Sequence, residues 1–330
     1  MSWKGKPIHN LSQRAFVVKT FATSKLWYLC QVLPMPKTTI KYFERQIGTF
    51  LWHGKLERLA LQELYLEMKQ GGLALPNILA KADSLFLMHL VRILKVDCCT
   101  RDHLLYWIGL SLRDHFPALV PDLRSEVMTP YFKHCLSLLT DSSLSERVEP
   151  GTLNTFKTRT IYADFNSTPP PPKVEDKYDL DWETVWQRLN HGVVSSDARD
   201  VMFLVIHDIY PTRQRLFRMG LHPTGTCEVC RGVQDVTHLF TGCGHVRDLW
   251  LYVKSKLVRN QVISNLSVND FELLTLSFNI KKKKTSAYCF IICNFVLYVH
   301  LSFKKEFCPK INDFRQFLMQ NCPLSLDIFI

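Results

Sequence analysis

Four residues, Cys227, Cys230, His238 and Cys243, stand at Cys-x2-Cys-x7-His-x4-Cys spacing in one short stretch of the chain. Three thiolates and one imidazole are the donor set of a tetrahedral structural Zn²⁺ site. The Cys-x-x-Cys pair lets two sulfurs reach one ion from a single turn, and Arg231-Gly232 supplies backbone freedom for that turn. His238 and Cys243 then close the shell and leave no position open to substrate or water. The expected site is therefore structural rather than catalytic. A redox Cys-x-x-Cys belongs in a βαβ setting that this stretch lacks. In a chain with 11 cysteines and 12 histidines, a chance cluster or the remnant of a site is the other alternative.

At 330 residues and 47% hydrophobic, the chain can bury a sizeable core, in two or three domains. An odd number of cysteines without a regular framework argues against a secreted disulfide scaffold. The opening Met-Ser-Trp-Lys-Gly-Lys-Pro has no apolar run of the kind a signal peptide needs. The expected location is nuclear or cytoplasmic, not secreted. A formal charge of +11 suits a polyanionic partner, nucleic acid first and an anionic membrane surface second.

Apolar periodicity predicts a mainly α fold. Residues 11–33 read as a helix with Leu11, Phe16, Val17, Phe21, Leu26 and Leu29 near helical spacing, Ser12 as its N-cap, and Pro34 and Pro36 ending it. A second helix, 37–53, carries Ile40, Phe43, Ile47, Leu51 and Trp52 on one face. Lys37, Lys41 and Arg45 form a basic stripe on another, either a solvated face or a phosphate track. Gly71 and Gly72 mark a turn after the short apolar segment 61–68. Residues 78–96 form the strongest helix, with Ile78, Ala82, Leu85, Phe86, Leu90 and Ile93 on one stripe. Helical pieces follow over 101–112 and 130–140. Four prolines within 167–173 form a polyproline linker. Beyond it come an amphipathic turn at Trp182–Leu189, a buried helix over 197–210, a basic helix with Arg213, Arg215 and Arg218 ending at Gly220, and a last amphipathic helix from Val246 to Leu257.

Two features mark the C-terminal part. Lys281–Lys284 is either a solvated loop or a phosphate or localisation patch. Residues 286–303 contain no charged side chain and reach the lower length limit of a membrane span. Asn294, His300 and several hydroxyls favour a buried helix there. The segments divide as a helical region over 1–96, a helical connector over 97–173, a zinc-binding module over 174–260 and a helical tail over 261–330.

Catalytic constellations are missing from the pattern: no G-x-S-x-G, no phosphate-binding glycine loop, no H-E-x-x-H. Tyr162-Ala163-Asp164-Phe165 approximates a Tyr-x-Asp-Asp polymerase motif, but two-metal chemistry needs adjacent acids and Phe165 breaks the set.

The stretch from Leu11 to Tyr28, together with Val32-Leu-Pro-Met-Pro36, Phe50-Leu-Trp-His-Gly54 and Gly71-Gly-Leu-Ala-Leu-Pro76, resembles the thumb of non-LTR (LINE-type) retrotransposon reverse transcriptases and the helical region beyond it. Trp182–Trp250, with Pro211-Thr-Arg213, the zinc cysteines and His238-Leu-Phe240, is similar to the zinc-binding reverse-transcriptase domain near the end of such polyproteins. The resemblance covers most of residues 8–260. It implies a chain that starts after the family's catalytic palm and endonuclease, hence no enzyme activity, with a polymerase available only in trans. It also implies a role in holding RNA or single-stranded DNA. Arg213, Arg215, Arg218, Arg231 and Arg247 are the candidate nucleic-acid contacts, with Phe217, Phe240 and Trp250 as stacking platforms, unless Phe240 and Trp250 are the module's own core. The rival readings are a zinc-stapled protein-interaction scaffold and a protein anchored in a membrane through 286–303, the latter less favoured.

Overall fold

The computed structural model describes residues 10–54, 59–96, 98–104, 106, 129–139, 157–166 and 169–322. Among these residues the fold is mainly α, as the periodicity predicts, with one isolated antiparallel bridge between Thr226 and Val233 and no sheet. The chain forms two compact units, each discontinuous in sequence. One comprises Arg14–Glu57 and Leu75–Pro169; the other comprises Met1–Gln13, Arg58–Ala74 and Pro170–Ile330. The four consecutive segments expected from the sequence do not follow this division.

In the first unit the axis is the helix Ile78–Lys95, whose N-cap Asn77 accepts a hydrogen bond from the Ala80 N–H at 3.2 Å. One side of it packs Ile78 and Ala82 against Leu26, Cys30 and Ile40, from the helices Thr23–Cys30 and Lys37–Leu51. Further along, Phe86, Leu87 and Leu90 meet Leu104, Cys135, Leu138 and Ile161. The helices Pro130–Leu139 and Thr158–Phe165 supply the last three of these residues. Burying each such large side chain contributes about 1.5–3 kcal/mol, so the apolar stripe read from sequence is what holds this unit. The expected helix over 101–112 is helical at 101–104 and 106, and 105 and 107–112 lie outside the described residues. Residues 167 and 168 of the expected linker do too; Pro172, at φ −57° and ψ 138°, has the polyproline backbone expected of the run.

The first helix departs from its expected face. Leu11, Ala15 and Val18 are buried, and then Thr23, Leu26 and Cys30, while Phe16, Phe21 and Leu29 are about half exposed. The step from Val18 to Thr23 is one residue too long for an α-helix. A π turn at Val18–Ala22 absorbs it, with the Thr23 N–H donating to the Val18 carbonyl. Ser12 is not the cap. Asn10 caps the helix by accepting from the Gln13 N–H at 2.8 Å, and the Ser12 hydroxyl instead donates to Asp200 Oδ1 at 2.6 Å.

The core of the second unit is the helix Thr285–Lys304. Its side chains from Ala287 through Val299 are buried, and it packs against the helices Ser196–Ile206, Arg247–Arg259, Trp182–Leu189 and Ile311–Asn321. Its length and composition would suit a membrane span, yet 78% of its apolar window is buried. The expected C-terminal tail thus supplies the centre around which residues 182–259 assemble. Arg188 anchors the loop that leads into this helix. Its guanidinium donates to the carbonyls of Leu276 at 2.6 Å and Phe278 at 2.7 Å and lies 5.6 Å from the Tyr288 ring centre.

The Gly71-Gly72 turn belongs to the same unit. Gly71 has φ +82°, and a Cβ there would lie 2.7 Å from the Trp186 ring, so both backbone and space require glycine. Its carbonyl accepts from His207 Nε2 at 2.8 Å, which fixes His207 as the neutral Nε2–H tautomer; His207 Nδ1 is buried without a hydrogen-bond partner among the described residues. Burial holds the His207 pKa down, to about 4, against the smaller upward pull of the Gly71 carbonyl.

Candidate metal centre

The four donors converge because two local devices fold the chain back on itself. The first is a knuckle. Thr226 pairs with Val233, the Cys227 N–H donates to the Gly232 carbonyl at 2.8 Å, and the Arg231 N–H donates to the Cys227 carbonyl at 3.0 Å. Arg231 takes a left-handed backbone, φ 65°, at the turn expected there. The second device is another π turn, His238–Gly242, closed by the Cys243 N–H donating to the His238 carbonyl at 2.7 Å. In an α-helix a residue five positions on points about 140° away. The wider turn brings His238 and Cys243, five apart, to the same side. Asp235 starts this segment, its carboxylate accepting from the His238 N–H at 2.7 Å.

The resulting ring is compact. Cys227 Sγ lies 3.6 Å from Cys243 Sγ, Cys230 Sγ lies 3.1 Å from His238 Nε2, and all four donor atoms fall within 4.8 Å of one another. Sulfur ligands about 2.3 Å from a tetrahedral ion would stand about 3.8 Å apart, so closing the donors onto one ion changes their separations by no more than about 1 Å. Charge points the same way. Burial pushes the Cys227 thiol up, but hydrogen bonds with the Cys230 backbone, the His238 side chain, the Val229 backbone and Cys243 outweigh it and bring it down to about 6. Cys243 is pushed up to about 11, first by burial and then by the sulfurs of Cys227 and Cys230 beside it. Thiolates crowded this closely need a cation to offset their mutual repulsion. The group can hold a metal ion, and its residues fit one.

The ring rests on apolar packing. Leu239, Phe240, Val246, Leu249 and Trp250 are buried, and Tyr210 packs edge-on against Phe240 at 5.2 Å while hydrogen-bonding His300 Nδ1 at 2.8 Å. Phe240 and Trp250 are therefore the module's core and not stacking platforms. Phe217, 52% exposed, is the aromatic that remains at the surface.

The five candidate arginines separate into two groups. Arg213 pairs with Glu228, and Arg215 donates to the Asp208 carbonyl at 2.9 Å, so both brace the fold. Arg218, Arg231 and Arg247 are exposed. Lys37, Lys41 and Arg45 are likewise exposed on the helix Lys37–Leu51 of the other unit. Tyr162 braces the first unit, since its hydroxyl accepts the Asn77 N–H at 3.1 Å and Lys81 lies over its ring, while Asp164 faces outward on the same helix. Sequence reasoning passed over Asp235, although aspartate is a common residue at a helix start; nothing in the pattern signalled Glu228 or the Tyr210–His300 pair. Compared with models of known protein families and with characterised proteins, the chain matches none.

Proposed function

We propose that this chain is a non-catalytic nucleic-acid-binding protein whose Cys227, Cys230, His238 and Cys243 hold a structural Zn²⁺ ion, and that it derives from the C-terminal part of a non-LTR retrotransposon reverse transcriptase. The observation that carries the reading is the convergence of three sulfurs and one imidazole nitrogen in a ring, with the exposed Arg231 next to Cys230 and the exposed Arg218 on the helix before the knuckle. Zn²⁺ suits this donor set better than magnesium or calcium, which take oxygen ligands. With all four positions filled by protein, the ion would cross-link the knuckle to the π turn. Arg218, Arg231 and Arg247 would meet phosphates, and Phe217 would stack a base, a contact worth roughly 1–3 kcal/mol. Single-stranded RNA or DNA fits this combination of charge and one exposed ring.

One observation favours a second reading. Val229 and Val233 on the knuckle, and Phe217, Met219 and Leu221 on the segment before it, are all exposed, as on a zinc-stapled protein-docking surface. Binding of the metal-loaded full chain to labelled single-stranded RNA, followed by anisotropy across a range of salt concentrations, separates the two. Nucleic-acid binding predicts a steep loss of affinity with salt, and a slope shallower by about 2 when Arg218, Arg231 and Arg247 are all changed to Gln. No affinity at any salt concentration removes this reading and leaves the scaffold.

A further inference from the structure

The most concentrated charge on the chain lies away from the metal ring. Lys281, Lys282 and Lys283 are exposed, and no carboxylate among the described residues pairs with them. Residues 273–305 contain six lysines and no acid. The run sits where the fold makes it least comfortable. It leads directly into the N-terminus of Thr285–Lys304, the end that already carries the positive pole of a 20-residue helix, and that end has no side-chain cap and no acidic residue in its first turn. Lys304 and Lys305, at the opposite end of the same helix, sit where the dipole favours them. The lysine run is also held in place rather than trailing. Arg188 fixes the carbonyls of Leu276 and Phe278 just before it, and a 3₁₀ turn over Lys282–Lys284 is closed by the Lys284 N–H donating to the Lys281 carbonyl at 2.8 Å.

We infer that Lys281, Lys282 and Lys283 form a sequence-independent phosphate-backbone contact, a second nucleic-acid-binding element separate from the metal ring. The inference rests on the nucleic-acid reading above and extends it to a new surface. Lysine ammoniums are compact point charges, so a fan of them on a three-residue turn grips a polyanion without reading bases. An anionic membrane surface is the other polyanion, but stable attachment needs an apolar wedge as a second signal. From residue 267 to 302 no large apolar side chain is exposed among the described residues.

The test uses the metal-loaded full chain and its Lys281→Gln/Lys282→Gln/Lys283→Gln variant, with single-stranded RNAs of two unrelated sequences and vesicles containing phosphatidylserine. Each lysine that meets a phosphate adds about 0.7 to the slope of log K against log salt, so the variant's slope should be shallower by about 2 on both RNAs. Its affinity at about 0.15 M salt should be roughly tenfold or more weaker, with metal content unchanged. A variant that binds RNA like the parent overturns this contact and leaves the metal-ring reading standing. A lysine-dependent loss confined to vesicles, or to one RNA sequence, also overturns it. A parent chain that binds no RNA overturns both readings.

Discussion

The metal ring and the Thr285–Lys304 helix lie in the same unit and are held by opposite means. The ring gathers four polar donors along a segment whose Cys230 is exposed and His238 half-buried. The helix buries an almost unbroken run of aromatic and aliphatic side chains, with Trp250 5.0 Å and Phe314 6.2 Å from Phe295. Burial acts on every atom of a face and tolerates small errors. Coordination acts at four points and fails when one is lost. The difference teaches that the two regions should come apart selectively, and that can be measured.

The largest effect is expected from Cys243→Ser. Structural zinc in small peptides contributes about 10–16 kcal/mol to their folding, so losing one ligand should release the metal. Native mass spectrometry should then show a metal-free chain, and hydrogen exchange should rise over residues 225–246 while 285–304 stays protected. Retained metal, or exchange that rises equally in both segments, breaks the comparison. Next comes Phe295→Ala, which removes a fully buried ring and should destabilise the unit by about 3–5 kcal/mol in denaturant unfolding. The folded variant should still bind one metal ion; loss of metal under native conditions would show the ring to depend on the core more closely than their chemistry suggests.

A smaller effect sharpens the comparison through pH. The His207 pKa is about 4 in the folded chain against an ordinary 6.5, so the unfolded chain binds the proton more readily between those values. The corresponding stability is fully present above about pH 6.5 and is lost as pH falls toward about 4, about 3 kcal/mol across that window. A metal held by the ring would also be released in acid as its donors protonate, in the parent and in His207→Gln alike. The difference in unfolding free energy between the two proteins therefore isolates the histidine. Equal acid sensitivity in both would falsify its assignment.

The ligands of the ring were legible because their chemistry resides in residue type and spacing, and so were most helices, whose apolar stripes recur at three and four. The two π turns were not. One extra residue between Val18 and Thr23 leaves the apolar pattern looking helical and rotates the buried face away from Phe16 and Phe21. The same device at His238–Gly242 explains, only after the fact, why four residues separate the histidine from its cysteine. Residues 286–303 showed apolarity in sequence but not what would cover it; the answer lies in the helix Ser196–Ile206 and its neighbours. Arginine positions were visible, but the partners that occupy Arg213 and Arg215 come from backbone and side chains that only the fold brings near. Linear order likewise hides that residues 58–74 group with the C-terminal half of the chain.

That interleaving has a consequence during synthesis. The Gly71 carbonyl waits for a histidine 136 residues later, and Asn10 for a serine 186 residues later, so the second unit cannot close while its central helix is still inside the ribosome. The first unit draws its residues from before Pro170, so its whole chain has been made by then. A nascent chain stalled near residue 280 should therefore carry all the residues of one unit and only part of the other, with sticky, half-assembled helices, the state in which a chaperone has most to do.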